Sequence, residues 1–249
     1  MKNLIIGMGD VGRSLFEVFK PHHESFIRDI ETPAITIDRI EALHICFPYT
    51  DDFVKAVKDY KTEYRPKLTL IHSTVLPGTT SLCGFGVVYS PVRGSHPNLT
   101  RDILAYPKYV AGPDRRENPV TLAKEFMAAC GINVRIVQDV QTLELIKIVS
   151  NVHMGLEIAW RQEVGRMIKQ VDGDAALYDD WEDDYNEMYA KLNQRHLIRP
   201  RMSAKPIGGH CILPCTEMLA KVYDTLALDF LFASNEEAKE EQLCPATTA

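Results

Sequence analysis

The sequence predicts an α/β chain: an N-terminal doubly wound, mostly parallel sheet, followed by an all-helical domain with a long central helix. Three observations predict it. In the first 140 residues, short apolar runs alternate with helical stretches, the pattern of a parallel sheet covered on both faces. A G-x-G-x-x-G triplet sits where the first run gives way to the first helix. From Val140 to Val171, Leu145, Ile148, Val149, Val152, Leu156, Ala159 and Trp160 keep a helical period with no proline among them.

The elements follow in order. Asn3 to Ile6 reads as a strand and Val11 to Phe19 as a helix. Phe26-Ile27 is a short second strand, and Ala42 to Phe47 is a buried one followed by a helix from Asp51 to Tyr60. Leu68 to His72 and Gly86 to Tyr89 are two more strands. Tyr109-Val110-Ala111, the helix Pro119 to Cys130 and the strand Asn133 to Val137 complete this domain, set at 1–139. The long helix then runs ~45 Å at 1.5 Å per residue, so it needs partners along its length, and a second subunit is a candidate. The acidic stretch from Asp172 to Tyr189 reads as a solvated helix face. The helical domain is set at 140–235, and 236–249 is expected to be a flexible tail.

Composition bounds the function. The 249 residues are 45% hydrophobic and 25% charged, which is ordinary globular usage. A net charge of −6 argues against a general nucleic-acid binder. No apolar run approaches the ~18 residues of a membrane span, and the N-terminus has no signal-peptide pattern. A soluble cytoplasmic protein is expected, with neither nucleic acid nor membrane as partner. The six cysteines (Cys46, Cys83, Cys130, Cys211, Cys215 and Cys244) are unevenly spaced, unlike a disulfide framework.

The triplet is Gly7-Met8-Gly9-Asp10-Val11-Gly12. Its first glycine permits a tight turn, its second lets backbone approach a pyrophosphate, and its third lets helix and strand pack closely. The phosphates would meet free N–H groups at the helix N-terminus. The strand–turn–helix context makes this a Rossmann-type dinucleotide site. Asp29, 17 residues past Gly12, is the acid expected to hold the adenosine ribose. A carboxylate there repels a 2′-phosphate and favours NAD; Arg28 beside it keeps NADP open, and Asp29 as a plain turn residue is the remaining alternative.

Beyond the triplet, motifs in order along the chain resemble the nucleotide-sugar dehydrogenases (UDP-glucose, GDP-mannose and UDP-N-acetylmannosamine dehydrogenases), within the wider 6-phosphogluconate dehydrogenase-like group. His44-Ile45-Cys46-Phe47-Pro48 resembles the strand ending V-P-T-P. Ser73-Thr74-Val75-Leu76-Pro77-Gly78-Thr79-Thr80 resembles S-T-V-x-P-G-T-T. Ser90-Pro91 and the segment Pro107 to Gly112 are similar to S-P-E and P-x-x-x-x-G. The run Glu144 to Asn151 resembles E-L-x-K-x-x-x-N, Ala159 to Glu163 resembles I-A-F-x-N-E, and Gly208-Gly209-His210-Cys211-Ile212 resembles the loop bearing the family's catalytic cysteine. The resemblance runs from residue 3 to about 220 and implies a short form without the family's C-terminal UDP-binding domain.

It also implies roles. Pro48, Ser73 and Thr74 would line the cofactor, with Thr74 near the nicotinamide and the hydrolytic water. Lys147 and Asn151, four apart on one helix face, would donate to a developing alkoxide. Cys211 would attack an aldehyde formed by a first hydride transfer, giving a thiohemiacetal and then a thioester. Arg201 and the glycines Gly208 and Gly209 would contact substrate, the arginine in some relatives reaching across a dimer. Each has a plain structural alternative: a surface lysine, a buried thiol, a turn hydroxyl or solvated charge. His210, Cys211 and Cys215 offer three soft ligands without an evident fourth, so no metal is expected.

Three positions depart from the family pattern. Val92 follows Ser90-Pro91 where the family has glutamate, Cys215 stands in place of its aspartate, and Pro214 in place of the preceding lysine. Thioester hydrolysis loses its carboxylates, whereas a single hydride transfer does not need them. The expected function is an NAD-dependent dehydrogenase acting on a small-molecule alcohol such as a nucleotide sugar, as a homodimer through the long helix. The alternatives are a two-electron hydroxyacid-type dehydrogenase using Lys147 and Asn151 without Cys211, and a non-catalytic NAD-binding protein.

Overall fold

The computed structural model describes residues 1–33, 36–113 and 118–243. Two compact units divide the chain, Met1–Ile148 and the remainder from Val149.

In the first unit, β1 (Lys2–Ile6), β2 (Glu24–Arg28), β3 (Ala42–Ile45), β4 (Leu68–Ile71) and β5 (Val87–Tyr89) form one sheet in the order β2-β1-β3-β4-β5. Every pairing in it is parallel. The apolar runs supply both faces by simple alternation. On β1, Leu4 and Ile6 enter one core with Phe53, Val57, Tyr89 and Leu143, whereas Ile5 enters the other with Leu15, Phe19 and Phe126. Helices α1 (Asp10–Phe19) and α5 (Asn118–Ala128) cover one face, and α2 (Phe53–Tyr64) covers the other. The order reverses direction between β1 and β3, and this is where a doubly wound sheet opens a crevice at its carboxyl edge.

Strands β6 (Lys108–Val110) and β7 (Val134–Ile136) differ from expectation. They pair with each other in a separate two-stranded sheet. Its link to the main sheet is an antiparallel bridge, with Tyr89 N–H donating to Ala111 O at 2.7 Å and Ala111 N–H to Tyr89 O at 3.0 Å. Two short helices, α3 (Thr79–Leu82) and α4 (Leu99–Ala105), lie in stretches without a helical period long enough to read.

The long helix α6 spans Val140–Gln170, 31 residues. Its first turns pack with the first unit, because Val140 and Leu143 are buried in the sheet's second core. The second unit holds the rest of α6, α7 (Ala175–Lys191), α8 (Ile212–Ala220) and α9 (Leu226–Leu243). Residues 236–243, expected to begin a flexible tail, are the last turns of α9, because Leu231, Ser234, Asn235 and Ala238 face its packed side. The rest of that expected tail, Cys244 included, lies outside the described residues. Helix α7 buries none of its residues. Ion pairs fasten it instead: Arg161 to Asp179 at 2.9 Å and Arg199 to Glu182 at 2.8 Å. No helix among the described residues is long and apolar enough to cross a membrane.

One buried carboxylate joins α6 to the sheet edge. Glu144 is fully buried and accepts from Gly78 N–H at 2.6 Å, Thr80 N–H at 2.8 Å and Thr80 Oγ1 at 2.6 Å. Burial raises its pKa, and the three donors work against that rise. Glu144→Ala leaves these donors without their acceptor, so a loss of about 2–4 kcal/mol in unfolding free energy is expected from denaturant titration. A loss within experimental error means that water replaces the carboxylate without cost.

Candidate active site

The glycine turn is built by contact. Gly7 has a φ of +108°, and its N–H donates to Arg28 O at 2.8 Å. A Cβ on Gly12 would meet the carbonyl oxygen of Gly7 at 1.9 Å, so only glycine lets α1 start this close to the turn. Gly9 caps α1 with no side-chain cap bond, and nothing stands within 4 Å of where its Cβ would be. The first-turn amides of α1 thus have no side-chain cap, and the helix dipole behind them suits an anion. Asp10 itself is exposed and reaches His96 Nδ1 at 3.4 Å.

Asp29, just past β2, accepts from Met8 N–H through Oδ2 at 3.2 Å. Its carboxylate is thus beside the glycine turn, with Oδ2 fixed by that bond. Arg28 turns away. Its guanidinium is buried, donates to Tyr64 Oη at 2.5 Å, and stacks 5.3 Å from the Tyr60 ring.

At the neighbouring strand ends, Ser73 Oγ donates to Phe47 O at 2.6 Å, tying the segment after β4 to the one after β3. Pro48 is exposed just beyond Phe47, and Thr74 is half-buried. Beneath them lies a network that the apolar look of these strands conceals. His44 and His72 are buried with stacked rings, His44 Nδ1 and His72 Nε2 lie 3.0 Å apart, and His72 Nδ1 is 2.7 Å from Ser90 O. A carbonyl can only accept, so His72 Nδ1 carries the proton, its Nε2 accepts, and His44 Nδ1 donates. That leaves His44 Nε2 without a partner, between the rings of Phe19 and Phe126. Lys108 Nζ donates to the same Ser90 oxygen at 2.9 Å and to Pro91 O at 3.1 Å.

In the helical unit, Asn151 Nδ2 donates to Cys215 Sγ at 3.1 Å. One turn on, a Cβ at Gly155 would strike Ile212 and Leu231, each at 2.7 Å, so this glycine lets α6 pack against α8 and α9. Asn235 of α9 accepts from Ile207 N–H at 2.6 Å and anchors the segment entering Gly208-Gly209. Both glycines are exposed, with nothing within 4 Å of a built Cβ. Cys211 is exposed and caps α8, whereas Cys215, one turn later, is buried. The sulfur that meets Asn151 is therefore that of Cys215, which stands where the family pattern has aspartate.

Arg201 is not brought to this cluster. It lines a cleft of 620 Å³ with His153 and Trp160 of α6 and Asp179 and Asp183 of α7. Its guanidinium lies 3.5 Å from each of those two carboxylates. At 100° per residue, His153 and Trp160 face the side of α6 opposite Asn151 and Gly155. Sequence reasoning missed Lys108, His44 and His72 because single polar residues in apolar strands give no periodic signal. It assigned no role to Glu144, whose motif was visible.

No family model matches the chain, and no curated protein matches it. Solved structures do. The UDP-D-ManNAc dehydrogenase of Pyrococcus horikoshii matches with a TM-score of 0.76 at 16% identity, over 96% of this chain and 69% of that one. A UDP-glucose dehydrogenase of Pyrobaculum islandicum matches at 0.69 and 16% identity, over 95% and 68%. A conserved protein of unknown function, described as structurally similar to 3-hydroxyacid dehydrogenases, matches at 0.62 and 13% identity, over 99% of this chain and 100% of its own.

The buried imidazoles make stability pH-dependent. Burial pushes His44 down to about 3 and His72 well below its ordinary range. Below about 6.5 the unfolded histidines take up protons that the folded ones refuse. Their contribution is therefore present above pH 6.5 and is lost progressively as the pH falls toward 3. Thermal unfolding midpoints should drop across that window, and His44→Leu should make the drop shallower; an unchanged slope would show that another group governs it.

In its glycine turn, its parallel sheet and its long helix, this chain has the fold shared by the UDP-sugar dehydrogenases and the 3-hydroxyacid dehydrogenase-like proteins.

Proposed function

We propose that the chain is an NAD-dependent oxidoreductase that oxidises the alcohol of a sugar or other hydroxy compound. The observation that carries this reading is the glycine turn: uncapped amides at the start of α1, with the Asp29 carboxylate bonded to Met8 N–H at 3.2 Å. That geometry fits a dinucleotide. Gly7, Met8, Gly9, Asp10, Val11 and Gly12 would hold the pyrophosphate through backbone, and Asp29 a ribose hydroxyl. Pro48, Ser73 and Thr74 would border the nicotinamide half. Asp29 disfavours a 2′-phosphate, and Arg28 is occupied by Tyr64, so NAD is preferred over NADP. When bound, the cofactor supplies the hydride acceptor.

The protein's own residues act on the substrate alcohol. Lys147 and Asn151, one turn apart on α6, would donate to its oxygen as negative charge develops there. In the fuller route Cys211, at the N-terminus of α8, would add to the aldehyde carbon to form a thiohemiacetal. A second hydride transfer then gives a thioester, which water cleaves. Gly208 and Gly209 would let substrate approach the backbone beside it. Arg201, on the far side of α6, would serve a second copy's substrate. A homodimer built on α6 fits the exposed Met154, Trp160 and Met167 along that helix.

A second reading is a two-electron dehydrogenase in which Cys211 is idle. It is favoured by Val92, which is buried among Leu99 and Ile103 where a water-activating carboxylate would be needed, and by Cys215 at the aspartate position.

Nucleotide sugars and small hydroxy acids should be screened for formation of reduced nicotinamide, counting equivalents per substrate. Lys147→Ala should lower kcat/KM by at least about 100-fold on either reading. Cys211→Ser should stop acid formation yet spare aldehyde formation on the first reading, and change nothing on the second. Tight NAD binding with no substrate turned over would make the chain a binding protein. Asp29→Asn should narrow the preference for NAD over NADP by about tenfold, as ribose-site acids set it; an unchanged ratio removes Asp29 from the site.

A further inference from the structure

The proposed chemistry leaves one buried cation without an account. Lys108 begins β6 and is 5% exposed. Moving an ammonium out of water costs several kcal/mol, and a methionine or leucine could fill the space without that cost. Its hydrogen-bond partners are two neutral carbonyls, those of Ser90 and Pro91, at 2.9 and 3.1 Å. These carbonyls follow β5 at the carboxyl edge of the sheet. The Ser90 oxygen is shared with His72, whose own N–H donates to Ile45 O at 2.9 Å, and the next residue, Ser73, holds Phe47 O. Through the shared Ser90 oxygen the lysine thus joins a network that runs across the ends of β3, β4 and β5. The glycine turn and Asp29 stand on the other side of the switch point, over β1 and β2.

On the reading that this edge holds NAD, the two sides serve different halves of the ligand. We propose that Lys108 is a positioning residue for the nicotinamide half: its Nζ, held on the carbonyls of Ser90 and Pro91, fixes the strand-end floor on which that half lies, while the adenosine diphosphate half is held independently by the glycine turn. Charge-assisted hydrogen bonds are about twice as strong as neutral ones, so the grip depends on the lysine's proton. The groups acting on that proton are Lys147 and Arg93, which oppose it, and Cys46, which favours it. His44 and His72, held neutral by burial, are in electrostatic contact with the same amine. Burial is the largest influence and brings Lys108 down to about 7.

The test compares NADH with ADP-ribose, which lacks the nicotinamide, by calorimetric titration of the full chain. The wild-type chain should bind NADH more tightly. Lys108→Met should leave ADP-ribose affinity within about twofold and lower NADH affinity about tenfold, to roughly that of ADP-ribose. Lys108→Arg, which keeps the charge and the donors, should restore most of the difference. Loss of both ligands in equal measure, or of neither, overturns the proposal and leaves the dinucleotide reading standing. A wild-type chain that binds neither ligand overturns both. Should Lys108→Met not fold, the wild-type pH series decides. Its ratio of NADH to ADP-ribose affinity should fall as pH rises through about 7, where the ammonium is lost, and a flat ratio overturns the proposal.

Discussion

The structure hangs on the carboxylate of Glu144. A charge buried that deeply persists only if donors surround it, and here three donors from Gly78 and Thr80 do so. The consequence is geometric. The first turns of α6 are fixed against the turn after β4, so the backbone that carries Lys147, three residues further along the helix, is anchored to the sheet. A long helix attached only by apolar contacts could slide by a fraction of a turn. A carboxylate with three directional bonds cannot, and the role proposed for Lys147, an ammonium beside a reacting oxygen, would need that precision.

The α/β half was legible because its signals are local and redundant. A strand such as Asn3-Leu4-Ile5-Ile6 must be apolar on both faces, and the contact between Gly12 and Gly7 O leaves no residue but glycine. The misread elements are those whose cause lies elsewhere in the chain. Strands β6 and β7 look like further members of the parallel set, yet Ala111 meets Tyr89 antiparallel, and only the path of the intervening chain decides that. The charged composition of residues 236–243 suggests fraying, whereas the buried Ser234, Asn235 and Ala238 just before and within that stretch keep α9 intact. The site divides in the same way. Motifs with dense spacing were visible, but Lys108, His44 and His72 belong to a network assembled from four separate strands.

The helical unit shows two kinds of attachment on opposite sides of α6. Toward α8 and α9 the contacts are close and apolar, with Gly155 admitting Ile212 and Leu231. Toward α7 they are ionic, with arginines 161, 199 and 201 meeting carboxylates on a helix that buries nothing; the pairs of Arg199 and Arg201 are exposed and that of Arg161 half-buried. The first arrangement fixes Asn151 and the glycine loop. The exposed pairs of Arg199 and Arg201 cost little to rearrange, since such pairs contribute at most about 1 kcal/mol each. Arg201 is therefore held where its loss to another anion is inexpensive, which suits a residue proposed to serve a neighbouring copy.

The departures from the family pattern share a physical consequence. At position 92 the side chain is 6% exposed and packs with Leu99 and Ile103, so the site of the usual glutamate has become hydrophobic core. At position 215 a thiol accepts from Asn151 in place of a carboxylate. Both changes replace a carboxylate of the family pattern with an uncharged side chain. On the proposed reading Lys147 and Asn151 would stabilise a developing alkoxide, whereas Val92 and Cys215 stand where the family pattern has the carboxylates that would draw a proton from water. A catalyst of the proposed kind, altered in this way, would retain the means to move one hydride and lose means to cleave a thioester, and for that reason the two-electron reading stands beside the four-electron one.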